Sequence, residues 1–335
     1  MVKSLKILKA GTERVVLAFF LCAGLCSCSV LSSKETQKEE SPFLGVFSVP
    51  KEDIVIVEPS KENRDRDQLI VIQLSQMLES SQVKSPSARA EVFYDLGIIY
   101  DRLGLEASAR SMFLNSLSER PDFAPAYNII GVYLAQNENF QDAYEAFDSA
   151  LELDPDNLYP LMNRAIALYY AGRYSLAVPD MERFCDDDLN DPYRMLWLYL
   201  IESKTLSHGE ALAHLKDRYQ KATVEAKNDN WAFNVVDYYL GKKSKKTLIE
   251  EMSSNEVPLA EKQSRLCEGY FYIGKEFERL GQDKLAYDYF KLSIATQMYG
   301  YLEYRYAFSE IKNLRKQYDF FEYSEPSQDN EIESE

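Results

Sequence analysis

This sequence predicts an all-α fold, a helical-repeat solenoid, and two observations carry that expectation. A pattern of small, aromatic and proline residues recurs with a 34-residue period, and the segments bearing it are apolar at helical rather than strand spacing. In "FYDLGIIYDRLGLEASARSMFLNSLSERP" the pattern reads Phe93, Leu96, Gly97, Tyr100, Ala109, Phe113, Ser116 and Pro121. One period later Tyr127, Ile130, Gly131, Leu134, Ala143, Phe147, Ala150 and Pro155 fill the same slots.

In chain order, residues 1–27 are laid out as a secretory signal, with Lys3, Lys6, Lys9 and Arg14 ahead of an apolar run from Val15 to Leu25. Such a run spans roughly 17 Å as a helix, well short of a hydrocarbon core of about 30 Å. It ends in Leu25-Cys26-Ser27-Cys28, which reads as a bacterial lipobox with Cys28 as the lipid acceptor. Cys22 and Cys26 are then signal residues removed with the rest. Ser29 after the acceptor directs the expectation to the outer membrane, lipid-anchored and facing the periplasm. Acyl chains supply the hold, at about 0.8 kcal/mol per buried CH₂. Residues 28–67, rich in Ser, Lys, Glu and Pro, are expected to form a flexible tether.

The helical body is expected over 68–321. A stripe of Leu69, Ile70, Ile72, Leu74, Met77 and Leu78 marks its first helix, which either caps the first repeat or supplies a dimer contact. Repeats are placed near 90–123, 124–157 and 158–191. The third keeps Leu161, Ala165, Leu168, Ala177 and Met181 but carries Arg164 and Phe184 out of pattern. Residues 192–260 read as helical but degenerate. A last repeat at 267–300 has Tyr270, Ile273, Gly274, Phe277, Ala286, Phe290 and Ser293 in register, with Met298 in the proline slot. Residues 322–335 form an acidic tail. The consensus is tetratricopeptide-like: small residues at positions 8 and 20 bring the paired helices together, the aromatic at 24 fills the gap and proline ends the second helix. No single repeat buries its apolar face, so repeats stack and the stack encloses a concave groove.

Composition narrows the function. The chain has 335 residues and a net charge of −16; loss of residues 1–27 removes four basic residues and one acidic, which leaves −19. That excludes nucleic acid as a partner and a polybasic grip on anionic lipid. Cys185 and Cys267 lie 82 residues apart; two buried free thiols are the simpler expectation and a disulfide the alternative. His208 and His214, six apart, fall on different faces of a helix, unlike a metal pair at i, i+4. Asp186-Asp187-Asp188 lacks the glycine and distal glutamate of a calcium loop and reads as a solvated turn. No phosphate loop or nucleophile elbow is present in the sequence. The expectation is a non-enzymatic interaction protein with no cofactor, metal or catalytic residue.

Binding is expected in the groove, at positions 2, 5, 9, 12 and 13 of each repeat's first helix. The partner-binding candidates there are Tyr94, Ile98, Arg102, Asn128, Gln136, Met162, Tyr169 and Tyr170. This apolar, aromatic set suits an extended or helical protein segment anchored on the rings.

Over residues 67–310 the chain resembles the NlpI family of outer-membrane lipoproteins. The stretches that carry the resemblance are "YDLGIIYDRLGL" (94–105), "NDPYRMLWLYLIE" (190–202), "NVVDYYLG" (234–241) and "FYIGKEFERLGQDKLAYDYFKLSIA" (271–295); the second and third fall outside the repeat consensus. The resemblance implies an all-helical homodimer tethered to the outer membrane, without catalytic activity. It further implies an adaptor that brings a periplasmic tail-specific protease to a murein endopeptidase and so restrains cell-wall hydrolysis. The alternative expectation is a structural repeat lipoprotein of an outer-membrane assembly machine, for barrel insertion or pilus biogenesis.

Overall fold

The computed structural model describes residues 47–80 and 83–318. Cys28, the signal segment, residues 28–46 of the expected tether and the acidic tail lie outside the described residues. Among those described are fifteen α-helices and no strand, and no helix is long and apolar enough to cross a membrane.

Helix α1 (Lys61–Glu79) precedes three helical hairpins: α2 (Pro86–Arg102) with α3 (Glu106–Glu119), α4 (Ala124–Gln136) with α5 (Phe140–Leu153), and α6 (Tyr159–Tyr170) with α7 (Tyr174–Asp187). Five helices fill the degenerate region: α8 (Pro192–Glu202), α9 (His208–Lys221), α10 (Val224–Asp229), α11 (Phe233–Tyr239) and α12 (Lys245–Met252). A fourth repeat hairpin, α13 (Leu259–Arg279) with α14 (Asp283–Ala295), leads to the last helix, α15 (Leu302–Tyr318). Side chains cap the starts of several: Ser85, Ser207 and Ser244 each accept a backbone N–H from the first turn of α2, α9 and α12.

The repeat spacing has a direct steric origin. A Cβ built on Gly97, Gly131 or Gly274 would meet the ring of Phe113, Phe147 or Phe290 at 2.4, 2.6 or 2.7 Å. Glycine at position 8 therefore admits the aromatic at position 24, and the three rings are fully buried. A second recurring contact is polar. Ser116 and Ser293, both at position 27, donate to the carbonyls of Ala90 and Cys267, both at position 1, at 2.8 Å. Gly131→Ala is expected to cost about 1–3 kcal/mol through overpacking. Gly209→Ala, in open space on α9, is expected to be neutral or slightly stabilising. Urea unfolding of the two variants checks the contrast, and equal midpoints contradict it.

Helix α8 departs from the repeat pattern because it is enclosed on all sides. Met195 through Ile201 are all buried, so the stretch is apolar around its whole circumference rather than along one stripe. Arg164, out of pattern in the third repeat, joins three helices: it makes a two-pronged pair with Asp180 of α7 at 2.7 Å and reaches Asp148 of α5. Cys185 and Cys267 are buried free thiols, and burial pushes the Cys185 thiol up to about 11.

The folded body begins before the expected end of the tether at residue 67. From Phe47 the chain lies as a strap on the last repeat, extended apart from one 3₁₀ turn at Lys51–Asp53. Ser48 N–H donates to Asp288 at 2.7 Å, Val55 N–H donates to the Tyr270 hydroxyl at 2.8 Å, and that hydroxyl donates to the Asp53 carbonyl at 2.9 Å. Asp53, 5% exposed, accepts from Tyr289 at 2.8 Å and pairs with Lys245. Ser60 N–H then meets Gln263, and α1 crosses to the first repeat, where Arg102 grips Asp67 at 2.6 and 3.1 Å. Strap and α1 thus tie the last repeat to the first.

Candidate functional site: a groove partly filled by the last helix

The sequence places eight candidates on one concave surface; the structure divides that surface in two. Its inner end is occupied by α15. Tyr306 stacks on Tyr170 with centroids 4.6 Å apart and planes at 5°, and also meets Trp197 edge-on at 5.7 Å. The Tyr170 hydroxyl donates to Glu310 at 2.7 Å, and Lys275 joins Glu310 at 2.7 Å, the Tyr169 hydroxyl at 2.9 Å and Glu278. Nearer the first repeat, Arg305 of α15 is bound to Asp101 and donates to Gln136 at 3.2 Å, while the Tyr133 hydroxyl donates to the other oxygen of Asp101. Lys312 and Lys316 hold Glu138 at 2.7 and 2.6 Å and keep its carboxyl below the usual range.

Several expectations change in consequence. Tyr170 and Gln136 do face the groove, but α15 satisfies them through Glu310 and Arg305, and the Tyr169 hydroxyl is taken by Lys275 of α13. Burial in these contacts raises both phenols, the repulsion of Glu310 adding for Tyr170. Tyr94 is no groove anchor: it packs between helices against Phe113 at 5.5 Å and Phe123 at 5.4 Å. Arg102 is spent on Asp67. Sequence reasoning included α15 in the helical body but missed that it fills the groove, although residues 303, 306, 307, 310, 311 and 314, all buried, carry helical spacing. The Asp186–Asp188 run ends α7, where Asp187 pairs with Arg194 at 3.0 Å and Asp188 accepts the N–H of Asn190. His214 reaches Glu202 at 2.9 Å, and His208 lies 3.5 Å from the Tyr199 hydroxyl.

The outer end of the groove stays open. Between α1, the first helices of the first three repeats and the turn from α14 to α15 lies a trench of about 1060 Å³. Ile98 and Met162 line it, together with Ile129, Val132 and Asn163. Asn163 donates to the half-buried Asn128 at 2.9 Å, and the predicted Asn128 itself does not line the trench. The contacts can hold a polypeptide by apolar burial and amide hydrogen bonds; among the described residues no group of metal-ligand type is assembled.

Residues 124–157 match the family described as tetratricopeptide repeat. Among solved structures, the chain is similar to one titled as the functional characterisation of Pseudomonas aeruginosa PilF, at 15% identity and a TM-score of 0.38, covering 69% of this chain and 99% of that one. YrrB, titled a TPR protein with an unusual peptide-binding site, is 15% identical with a TM-score of 0.39 and coverage of 63% and 98%. MamA MSR-1 is 20% identical with a TM-score of 0.37 and coverage of 48% and 91%. The family match falls on α4 and α5, whose glycine–phenylalanine contact recurs in the first and last repeats. The described residues form an all-α helical-repeat solenoid that carries a tetratricopeptide repeat at 124–157.

Proposed function

We propose that this chain is a non-catalytic adaptor of the NlpI type. It is held at the outer membrane by lipid on Cys28, faces the periplasm, and brings a tail-specific protease to a murein endopeptidase. The observation that carries the proposal is the groove: sealed at one end by α15, it leaves one open trench of a size to take a polypeptide segment. The family-like stretches at 190–202 and 234–241 form α8 and α11, buried helices rather than repeat consensus. For homodimerisation, α1 offers Leu69, Ile72 and Met77, which are 60%, 52% and 39% exposed; apolar side chains grouped on one helix are a surface that a partner covers.

An adaptor needs no reactive group. Holding protease and substrate on one scaffold replaces a chance encounter by a local concentration in the millimolar range for short flexible connections. The test is a turnover assay with the purified chain, the host's tail-specific protease and its murein endopeptidase, followed by gel over time. Loss of the endopeptidase is expected to be several-fold faster when the chain is present. Unchanged turnover, with no binding of the protease, overturns the proposal and moves the chain to an outer-membrane assembly complex.

A further inference from the structure

We infer that the open trench holds an extended, acidic segment of a partner protein, bound through its main chain at Asn163 and through its charge at Arg64 and Arg66. The inference rests on the adaptor proposal only in taking the occupant to be another protein.

Three observations lead to it. The walls are apolar on both sides, with Ile98, Ile129, Val132 and Met162 facing the side that carries Met298 and Leu302. Such walls accept alternate side chains of an extended segment, whose neighbours in sequence point the other way.

Asn163 supplies the second. It lines the trench, is 5% exposed, and spends its amide N–H on Asn128 at 2.9 Å. Its Oδ1 is buried and has no hydrogen-bond partner among the described residues. A buried acceptor left without a hydrogen bond is unfavourable. One of its two amide N–H groups is committed to Asn128, and the unmatched Oδ1 can be met only by a donor, which an extended main chain presents as N–H groups in a row along its edge. A lipid chain would fill the trench but leave this atom unpaired.

The third is charge. The trench is lined by Arg64, Arg66, Arg102 and Arg305 against Asp67 and Asp101, four positive to two negative, in a chain whose net charge is −16. Arg102 is held by Asp67 and Arg305 by Asp101. Arg66 lies 3.9 Å from an Asp67 that Arg102 already engages, so the surplus sits at the α1 rim on Arg64 and Arg66. In an otherwise acidic molecule this local positive field attracts carboxylates and repels basic segments.

The test uses the purified full chain and two fluorescein-labelled octapeptide pools. Both carry Leu, Ile, Val or Met at alternate positions; one has Asp or Glu between them, the other Lys or Arg. Fluorescence anisotropy is expected to show the acidic pool binding about ten-fold more tightly at low salt, with the difference shrinking as salt rises. Arg64→Glu with Arg66→Glu, both exposed residues of α1, removes that preference. Asn163→Ala weakens both pools by about ten-fold, the loss of one hydrogen bond to a buried group. Should Asn163→Ala fail to fold, the arginine pair still decides the matter. Equal affinity for the two pools, no binding of the acidic pool, or an unchanged preference in the arginine variant overturns the inference. Absent pool binding in a chain that still accelerates endopeptidase turnover removes the trench and spares the adaptor proposal; pool binding without acceleration does the reverse.

Discussion

Lys275→Ala is expected to destabilise the fold by about 3–5 kcal/mol, because it strips the cation from a buried set of charges. Lys275 is 3% exposed and Glu310 4%. Burial alone would lower the lysine's pKa, but Glu278 and Glu310 outweigh it and hold the ammonium well above its ordinary value. Glu278 has a second partner, Lys204 at 3.2 Å, whereas among the described residues Glu310 has only Lys275 and the Tyr170 hydroxyl. Loss of the lysine therefore leaves Glu310 as a buried charge facing one neutral donor. Glu310 lies on α15 and Lys275 on α13, so the damage falls on the contact that seats the last helix in the groove. The companion variant, Lys275→Met with Glu310→Gln, removes both charges and is expected to recover most of the loss, since matched removal of a buried pair is often neutral. Urea unfolding of both variants measures this. A single-variant loss below about 1 kcal/mol contradicts the structural account of the site.

The repeats were legible because their governing contacts are short in sequence. Gly131 and Phe147 are sixteen residues apart, belong to one hairpin and recur in register at 97 and 113 and at 274 and 290. The strap and the placement of α15 were not legible, for different reasons. The strap is extended apart from a single 3₁₀ turn at Lys51–Asp53, so residues 47–60 show no helical period, and its long-range hydrogen-bond partners lie 192 to 240 positions away. The buried face of α15 includes Glu303, Arg305 and Glu310, residue types that sequence reasoning assigns to solvent. Each is inside because another part of the chain meets it. The candidate site inherited both gaps. Ile98 and Met162 line the open trench, whereas Tyr169 and Tyr170 were read as free rings when Lys275 of α13 holds the first and α15 covers the second. Asn163 stood beside the chosen groove positions, and only its geometry shows an acceptor left over.

Stability is also expected to fall as pH rises from about 4.5 to about 8, a slope set by two carboxyls at the joint of α13 and α15. Glu268 and Glu303 are both 5% exposed. Glu268 accepts from the Tyr193 hydroxyl at 2.7 Å and Trp231 Nε1 at 2.6 Å, and Glu303 from the Tyr272 hydroxyl at 3.2 Å. These donors are neutral. Burial, followed by repulsion from Glu303, pushes Glu268 up to about 8, and burial pushes Glu303 up to about 7. Unfolded glutamate titrates near about 4.3. Between these values the folded chain binds more protons than the unfolded one, so the stabilisation is complete below the unfolded pKa and is lost as pH climbs through the folded values. At about 1.4 kcal/mol per pH unit for each carboxyl, the two together lose several kcal/mol by pH 8. Glu138, held low by Lys312 and Lys316, acts in the opposite direction only at more acidic pH. Urea midpoints across this range check the slope: wild type should weaken toward alkaline pH, and Glu268→Gln should flatten the dependence and exceed wild type above pH 8. A wild-type midpoint that does not move between pH 5 and 8 contradicts it. Because Glu303 opens α15, alkaline pH loosens the start of the helix whose middle Lys275 secures, and the two variants together report how firmly the groove is filled.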